Sequence, residues 1–427
     1  MIELTNGQKE AISKAKEWFT SNSSKQIFEI CGAAGTGKST VVYSLIEELG
    51  LSEEEVRFVT YTGKASIILT TKGNNATTIH KLIYDIVTKE KMILDKNKEP
   101  MKNTKGEIYY ENVVEFVKKD RLNPKIKLLV CDEVSMVDKK TLDDLKSFNI
   151  PMIVLGDPYQ LKPINGDIVL LKDPDIILTE IMRQQEGNPL IHLATLAREK
   201  KIIPEGVYGS SFVINKDEIL HGLDNKSEEV NKILTMTEMN ICRTNKNRNF
   251  INNYIRHVVK GIPKEDYLPK MDEKIICRKN NWTKALSEEV DINLVNGLTG
   301  TVVSPILTQD INKRQDLFYL DFRPDFCNED YFTHLPVSSL NFIDIPDTEK
   351  KIREIKQYKY SKIKNIIIND FEFAYILTCH LCQGSEYKDV FILDEYYGDD
   401  YYNSLYTAIT RAQKRIILAK QYPKQYF

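Results

Sequence analysis

The sequence lacks several things, and each absence excludes a class of protein. It has no surplus of one charge: 59 lysines and arginines stand against 61 aspartates and glutamates, for a net charge of −2. That excludes a histone-like or polybasic binder, although a local positive groove survives such averaging. It has no uninterrupted apolar run near the ~20 residues of a spanning helix. The start, "MIELTNGQKEAI", carries polar residues where a signal peptide needs an apolar stretch. A cytoplasmic location without a membrane partner is therefore expected. No self-similarity recurs at a period of about 20–50 residues, which excludes a solenoid.

Cysteine is scarce too. Seven residues, at positions 31, 131, 242, 277, 327, 379 and 382, are an odd number spread over the whole chain. They fit reduced thiols better than a disulfide framework. One stretch, "TCHLCQGSE" from Thr378 to Glu386, crowds Cys379, His380 and Cys382 like metal ligands. A structural zinc site usually shows two close ligand pairs, and this is the one close pair. The thiols read instead as small semi-buried hydrophobes.

What is present is an ordinary globular composition, 42% hydrophobic and 28% charged, over 427 residues. That length suits two or more domains with their own cores. The front of the chain alternates strand and helix patterns. "KQIFEICG", "VRFVTYT", "KLLVCDEVSM" and "IPMIVLGD" read as strands, and "KSTVVYSLIEELG" reads as a helix ending at Gly50. Short apolar strands separated by helices imply a parallel sheet covered on both faces, with function at the carboxyl ends of the strands. Between Leu82 and Asn123 the pattern breaks into lysine-rich sequence with two short strand candidates, "KMIL" and "EIYY". The residues leave open a protruding hairpin or a solvated loop. A second domain opens near Lys200. From about Glu273 to Asn365 the chain becomes β-rich and irregular, as a small barrel insert would be.

"GAAGTGKS", Gly32 to Ser39, follows a strand and opens a helix, the context that makes G-x4-G-K-[ST] a P-loop. Glycines let backbone N–H groups turn toward phosphate oxygens, Lys38 adds charge to the outer phosphates, and Ser39 offers a hydroxyl to Mg²⁺. "KLLVCDEVSM" ends a strand on Asp132 and Glu133. One carboxylate can hold Mg²⁺ and its neighbour can activate a water, which points to hydrolysis. In "VLGDPYQLKPING", Asp157 and Gln160 are placed to sit beside a γ-phosphate, with Gln160 sensing it. Arg183 in "LTEIMRQ" and Arg411 in "LYTAITRAQKR" are candidates to stabilise transition-state charge. Roughly 90 residues separate the P-loop from Asp132, where one βαβ unit takes about 30.

Taken together these motifs resemble superfamily 1 helicases, in the RecD-like branch that includes the phage Dda helicases. "LTNGQKEAI" resembles the Q-motif, "GAAGTGKS" motif I, "TYTGKASIIL" motif Ia, "CDEVSMVD" motif II and "GDPYQLKP" motif III. "EIMRQ" resembles motif IV, "TCHLCQGSEYKDVFI" motif V and "LYTAITRAQKR" motif VI, and the order is kept over nearly the whole chain. The resemblance implies an α/β fold with two RecA-like motor domains, 1–200 and 201–427. It implies a β-hairpin insertion 1B at about 84–122, acting as a strand-separating pin, and an SH3-like β-barrel insertion 2B at about 273–365.

The resemblance also implies 5′ to 3′ translocation on single-stranded DNA, powered by ATP and Mg²⁺. The chain would be a monomer acting at single-strand/double-strand junctions in the cytoplasm, or the host cytoplasm if phage-encoded. Expected partners are a single-strand-binding protein or a replisome component. Catalytic roles fall to Lys38, Glu133, Gln160, Arg183 and Arg411. Nucleotide contacts fall to Gln8 as adenine reader, to Gly32, Ala33, Ala34, Gly35, Thr36, Gly37, Lys38, Ser39 and Thr40, and to Gln383 and Gly384. Ser39 and Asp132 would hold the metal. Thr62, Lys64, Thr78, His80, Asn245, Thr378 and His380 would contact DNA. Motif V departs from the common His-Lys-x-Gln-Gly, since Leu381 stands at the lysine position and Cys382 precedes Gln383. Motif III has Leu-Lys-Pro where Leu-Pro-Pro is common. A translocase, or a remodeller or loader that does not unwind, would share most of these motifs. A nuclease lacks support, because no carboxylate cluster remains outside them.

Overall fold

The short apolar runs that end in polar residues become the strands of two parallel sheets. The computed structural model describes residues 3–21, 25–92, 94, 99–100, 102, 106–108, 110–134, 137–162, 170, 172–180, 188–286, 292–304, 316–343, 345–364, 366–395 and 398–421. It divides into two compact units. One comprises Met1–Leu82, Arg121–Gly261 and Tyr375–Phe427; the other comprises Ile83–Asp120 and Ile262–Ala374.

The first unit holds both parallel sheets. One runs in the order Ala76–Thr78, Val56–Thr60, Leu128–Asp132, Met152–Gly156, Ile27–Gly32 and Ile176–Leu178, every pair parallel. Its central strand Met152–Gly156 is buried along its whole length, which is why the sequence shows an unbroken apolar run there rather than alternation. The second sheet runs Ile376–Thr378, Met239–Cys242, Tyr387–Leu393, Ala412–Lys420, Ser211–Asn215 and Gly206–Tyr208. It is parallel except at its last, antiparallel edge pair. The fold class is therefore α/β with two RecA-like parallel sheets.

Helices pack on the first sheet by ordinary local logic. Asn6–Thr20 starts on a capping box, in which Thr5 and Gln8 satisfy each other's backbone N–H groups. Lys38–Leu49 is bracketed by Gly37 and Gly50, both left-handed, where a side chain would be strained. Ala11, Ile12 and Ala15 of the first helix and Val41 and Leu45 of the second close over Ile30, Val130 and Ile153.

The second unit departs in detail from the sequence expectation. The hairpin pairs Tyr84–Met92 with Tyr110–Lys118, in continuous register from Tyr84↔Lys118 to Met92↔Tyr110. The expected strands "KMIL" and "EIYY" meet it only at its far end, through Lys91, Met92 and Tyr110; beyond it lie the isolated antiparallel bridges Leu94↔Pro100 and Lys102↔Ile108, and Ile93 and Tyr109 lie outside the described residues. Lysines lower the strand propensity of this segment, but Lys89 and Lys91 face Glu115 at 2.7 and 3.5 Å, a cross-strand charge pairing that offsets it.

The larger part is a five-stranded antiparallel sheet in the order Phe332–Ser338, Leu317–Pro324, Thr299–Val302, Lys274–Cys277 and Phe371–Phe373. The two edges approach each other through Val337↔Asn369, with Asn369 accepting from Ser338 N–H and donating to Pro336 C=O. This curls the sheet toward closure. The strand Phe371–Phe373 lies beyond residue 365, because it completes the pairing of Lys274–Cys277. The sequence reading also passed over the helix Asp347–Lys364, whose charged composition leaves Ile355 buried and Ile352 52% exposed. It passed over two helices of the first unit, Lys216–Asp224 and Glu228–Met236, as well. No helix among the described residues is long and apolar enough to cross a membrane.

Candidate active site

Carboxyl ends of adjacent strands bring the motif residues together. In the first sheet Thr60 registers with Asp132 on one side and Thr78 on the other. The P-loop leaves the strand Ile27–Gly32, and Gly32 is the one residue that fits there. An added Cβ would lie 2.4 Å from Thr36 Oγ1 and 3.1 Å from Leu178 Cβ. Gly35 and Gly37 take left-handed φ values of 82° and 78°. Thr36 is buried and donates its hydroxyl to Ala33 C=O at 2.9 Å. Lys38 Nζ donates to the carbonyls of Gly32 at 2.6 Å and Ala33 at 3.2 Å. Ser39 is exposed and Thr40 half-buried in the first turn of the helix Lys38–Leu49.

Gln8 lies buried beside this loop. Its amide donates to Thr36 C=O at 3.0 Å while its oxygen accepts from Thr5 N–H, so one side chain joins the helix start to the P-loop. Asp132 ends its strand and accepts the N–H of Glu133 at 2.8 Å. Glu133 sits at φ 53°, a left-handed conformation that costs a non-glycine residue on the order of 1–3 kcal/mol and concentrates at functional sites. Burial raises the pKa of both carboxyls above the ordinary range. Lys38 counters the rise at Asp132, and Arg411 is the main counterweight at Glu133. An oxygen-only set of the exposed Ser39 hydroxyl and the half-buried Asp132 carboxylate fits a hard divalent cation such as Mg²⁺.

Motifs V and VI come from the second sheet. Arg411, 5% exposed, is held by three hydrogen bonds: Nε to Thr407 C=O, Nη1 to Ser385 C=O and Nη2 to Thr410 Oγ1. Its Nη1 stands 3.8 Å from Glu133 Oε1. Gly384, at φ +72°, packs so closely that a Cβ would lie 3.2 Å from Glu133 Oε2 and Ala65 Cβ and 3.4 Å from Thr62 Oγ1. Gln383 is buried and donates to Leu161 C=O of motif III at 3.2 Å. The structure therefore brings Lys38, Glu133, Gln383, Gly384 and Arg411 into one neighbourhood. Gln160 is anchored beside it through its backbone, donating to Asp157 C=O and accepting from Asn403. Arg183 lies outside the described residues.

The candidate DNA contacts distribute over both sheets. Thr62 caps the helix Gly63–Thr71, and Thr78 accepts from Lys81 N–H at the next helix start. Lys64 Nζ reaches Tyr387, 3.3 Å from its hydroxyl and 5.3 Å from its ring centroid. His80 is half-buried, edge-on to Tyr61 at 5.9 Å, and burial lowers its pKa against the opposing pull of Asp138. In the second sheet Thr378 registers with Cys242 and opens the short turn Cys379–Cys382 that carries His380. Burial lowers the pKa of His380 as well. Asn245, exposed, begins the helix Asn245–Tyr254. Cys379 and Cys382 are buried, and burial pushes their thiols up to about 12 and about 11. That disfavours the thiolate that metal binding needs.

Sequence reasoning missed the residues that grip motif III. Asn403 donates to Tyr159 C=O, Thr407 Oγ1 accepts from Leu161 N–H at 2.8 Å, and Tyr406 donates to Asp157 at 2.6 Å. All three lie on the helix Tyr401–Ile409 at spacings of three and four, which share one helix face. That spacing marks a shared face without saying what the face meets.

Comparison with known proteins agrees with this arrangement. A family model described as an AAA domain matches residues 3–207, and one described as a UvrD-like helicase C-terminal domain matches residues 373–419. The ATP-dependent DNA helicase dda of Enterobacteria phage T4 is 28% identical over 270 residues, covering 57% of this chain and 56% of that protein. An uncharacterized protein of Acanthamoeba polyphaga mimivirus is 27% identical over 198 residues, covering 40% of this chain and 37% of that one. The chain thus spans about half, or less, of the length of these curated relatives. The crystal structure of Pif1 helicase from Candida albicans matches at TM-score 0.51 and 16% identity, over 99% of this chain and 95% of that one. Pif1 helicase from Bacteroides in complex with ADP-AlF3 and ssDNA matches at 0.52 and 16%, over 98% and 93%. At that identity the likeness speaks for the fold. With the two family models bracketing the motifs in their order, the comparisons support the resemblance to superfamily 1 helicases of the Dda type.

Proposed function

We propose that this protein is an ATP-dependent DNA helicase that moves 5′ to 3′ along single-stranded DNA and separates duplex at junctions. One observation carries the reading: Arg411 of motif VI and Gly384 of motif V both abut Glu133 of motif II. An arginine aimed at a γ-phosphate beside a carboxylate base is the arrangement hydrolysis requires. Motif V also carries proposed DNA contacts, so grip on DNA and hydrolysis share one segment.

In this mechanism the P-loop N–H groups and Lys38 hold the triphosphate, with Gln8 beside the loop as adenine reader. Glu133 takes a proton from the attacking water. Gln160 senses the γ-phosphate, and Arg411 with Arg183 offsets its developing charge. Ser39 and Asp132 would hold Mg²⁺, which when bound supplies charge to the phosphate oxygens. Thr62, Lys64, Thr78, His80, Asn245, Thr378 and His380 grip the DNA backbone, which gives sequence-independent, salt-sensitive binding. Motor domains 1–200 and 201–427 alternate that grip. The hairpin at about 84–122 acts as the pin, and the insert at about 273–365 acts as an SH3-like domain. The relative from phage T4 is named a DNA helicase, and a Pif1 neighbour was solved with ssDNA, which supports this substrate class.

The test is ATP hydrolysis with and without single-stranded DNA, followed by unwinding of 5′- and 3′-tailed duplexes. The expected results are DNA-stimulated hydrolysis, unwinding from a 5′ tail, and a loss in Glu133→Gln of about 100- to 10,000-fold in kcat. Hydrolysis indifferent to DNA, with Glu133→Gln still active, would sink the reading. Stimulated hydrolysis without unwinding would favour a translocase or remodeller.

A further inference from the structure

Tyr406 is 2% exposed, yet its hydroxyl is not spent on the core. It donates to Asp157 Oδ2 at 2.6 Å and accepts the backbone N–H of Ala34 at 2.8 Å. Ala34 is part of the phosphate-cradling loop, and Asp157 opens motif III. Burial and the Asp157 charge raise the phenol's pKa well above its ordinary value, so it stays a donor at neutral pH. The ring is fixed in turn: Tyr159 meets it edge-on at 6.1 Å, and Arg198 lies 5.3 Å over the Tyr159 ring.

The same helix carries the position of Arg411. Arg411 Nε bonds to Thr407 C=O, and its backbone N–H bonds to Ala408 C=O. Thr407 also accepts Leu161 N–H. Whatever fixes Tyr406 therefore fixes the end of the helix from which the arginine reaches Glu133. P-loop N–H groups are the donors that a phosphate claims. A phosphate oxygen that takes Ala34 N–H takes it from the Tyr406 oxygen, leaving the tyrosine held by Asp157 alone.

We propose that Tyr406 is a positioning residue: its hydroxyl ties the P-loop to motif III and so registers triphosphate binding on the helix that aims Arg411. This rests on the ATP-hydrolysing reading above and adds a residue to it. Removing the hydroxyl leaves the phosphate cradle intact but slackens the aim of the arginine, so kcat should change more than KM.

The test measures single-stranded-DNA-stimulated ATP hydrolysis in wild type, Tyr406→Phe, Asp157→Ala and the double variant, with a thermal melt of each. The expected result for Tyr406→Phe is a fall in kcat of about tenfold, the equivalent of one lost buried hydrogen bond, with KM for ATP within about threefold. The double variant should be no slower than the slower single, because both cut one link. If Tyr406→Phe fails to fold, Asp157→Ala, which keeps the ring and removes the acceptor, must reproduce the kcat loss. An unchanged kcat, a loss confined to KM, or additive losses overturn this inference while leaving the helicase reading intact. A wild-type protein without DNA-stimulated hydrolysis overturns both.

Discussion

The two parallel sheets approach the same site with different materials. The first supplies a main-chain cradle, the N–H groups of a loop whose conformation is forced by Gly32, Gly35 and Gly37, beside the side chains of Lys38, Asp132 and Glu133. The second supplies side chains: Arg411, Tyr406, Thr407, Asn403 and Gln383, each reaching a P-loop, motif II or motif III atom. A main-chain cradle is all or nothing, since a Cβ at Gly32 strikes Thr36. A side-chain clasp can be cut one bond at a time. Binding of nucleotide should therefore depend on the first sheet and its coupling on the second.

The deepest cut is Arg411. Arg411→Ala should lower DNA-stimulated kcat by about 1,000-fold or more, the range known for arginines that offset transition-state charge. Nucleotide affinity, read by equilibrium binding of a fluorescent ATP analogue, should stay within about fivefold, because the cradle is untouched. Equal losses of affinity and kcat would erase the proposed division of labour. Removing this partner also leaves Glu133 without its main positive neighbour, so its carboxyl pKa should rise further.

Gly384 tests the seam between the two materials. It is a main-chain device on the side-chain side, left-handed and within 3.2 Å contact range of Glu133 and Ala65 once a Cβ is added. Gly384→Ala carries a backbone cost of roughly 1–2 kcal/mol before any clash, so about a tenfold loss of DNA-stimulated hydrolysis is expected. Unstimulated hydrolysis should fall less. A variant stimulated by DNA as strongly as wild type would show that motif V does not press on the catalytic carboxylate.

The same contrast explains what was legible in the sequence. Glycine and strand-end carboxylates are read by type and spacing, so "GAAGTGKS" and the Asp132–Glu133 pair declared the elements that carry them. Hydrogen bonds of the clasp were not legible, because tyrosine, asparagine and threonine in a helix are ordinary residues until the fold sets them against motif III. Arg411 stood out only through the motif around it. In the second unit, "LFYLDFRP" gave the strand Leu317–Pro324 directly, since every second residue is buried. The helix Asp347–Lys364 stayed hidden because its lysines outnumber the few apolar residues that mark a core-facing stripe.

The smallest expected effect separates charge from shape in the proposed DNA contacts of the first sheet. Lys64 carries a full charge, so Lys64→Ala should reduce the salt dependence of single-stranded DNA binding by about 0.7 in the log–log slope, one phosphate's worth. His80 differs: burial lowers its pKa from 6.5, so at pH 7.5 it is neutral and releases no counterion. His80→Gln should weaken binding modestly and leave the slope unchanged at that pH. The same shift has a stability sign. The unfolded chain protonates His80 near 6.5 while the fold resists, so stability is full above that pH and declines as pH falls below it. His80→Gln should therefore flatten the acid side of a melting-temperature profile. A salt slope that drops in His80→Gln as far as in Lys64→Ala would mean that this imidazole is charged when DNA is bound, which its burial against Tyr61 opposes.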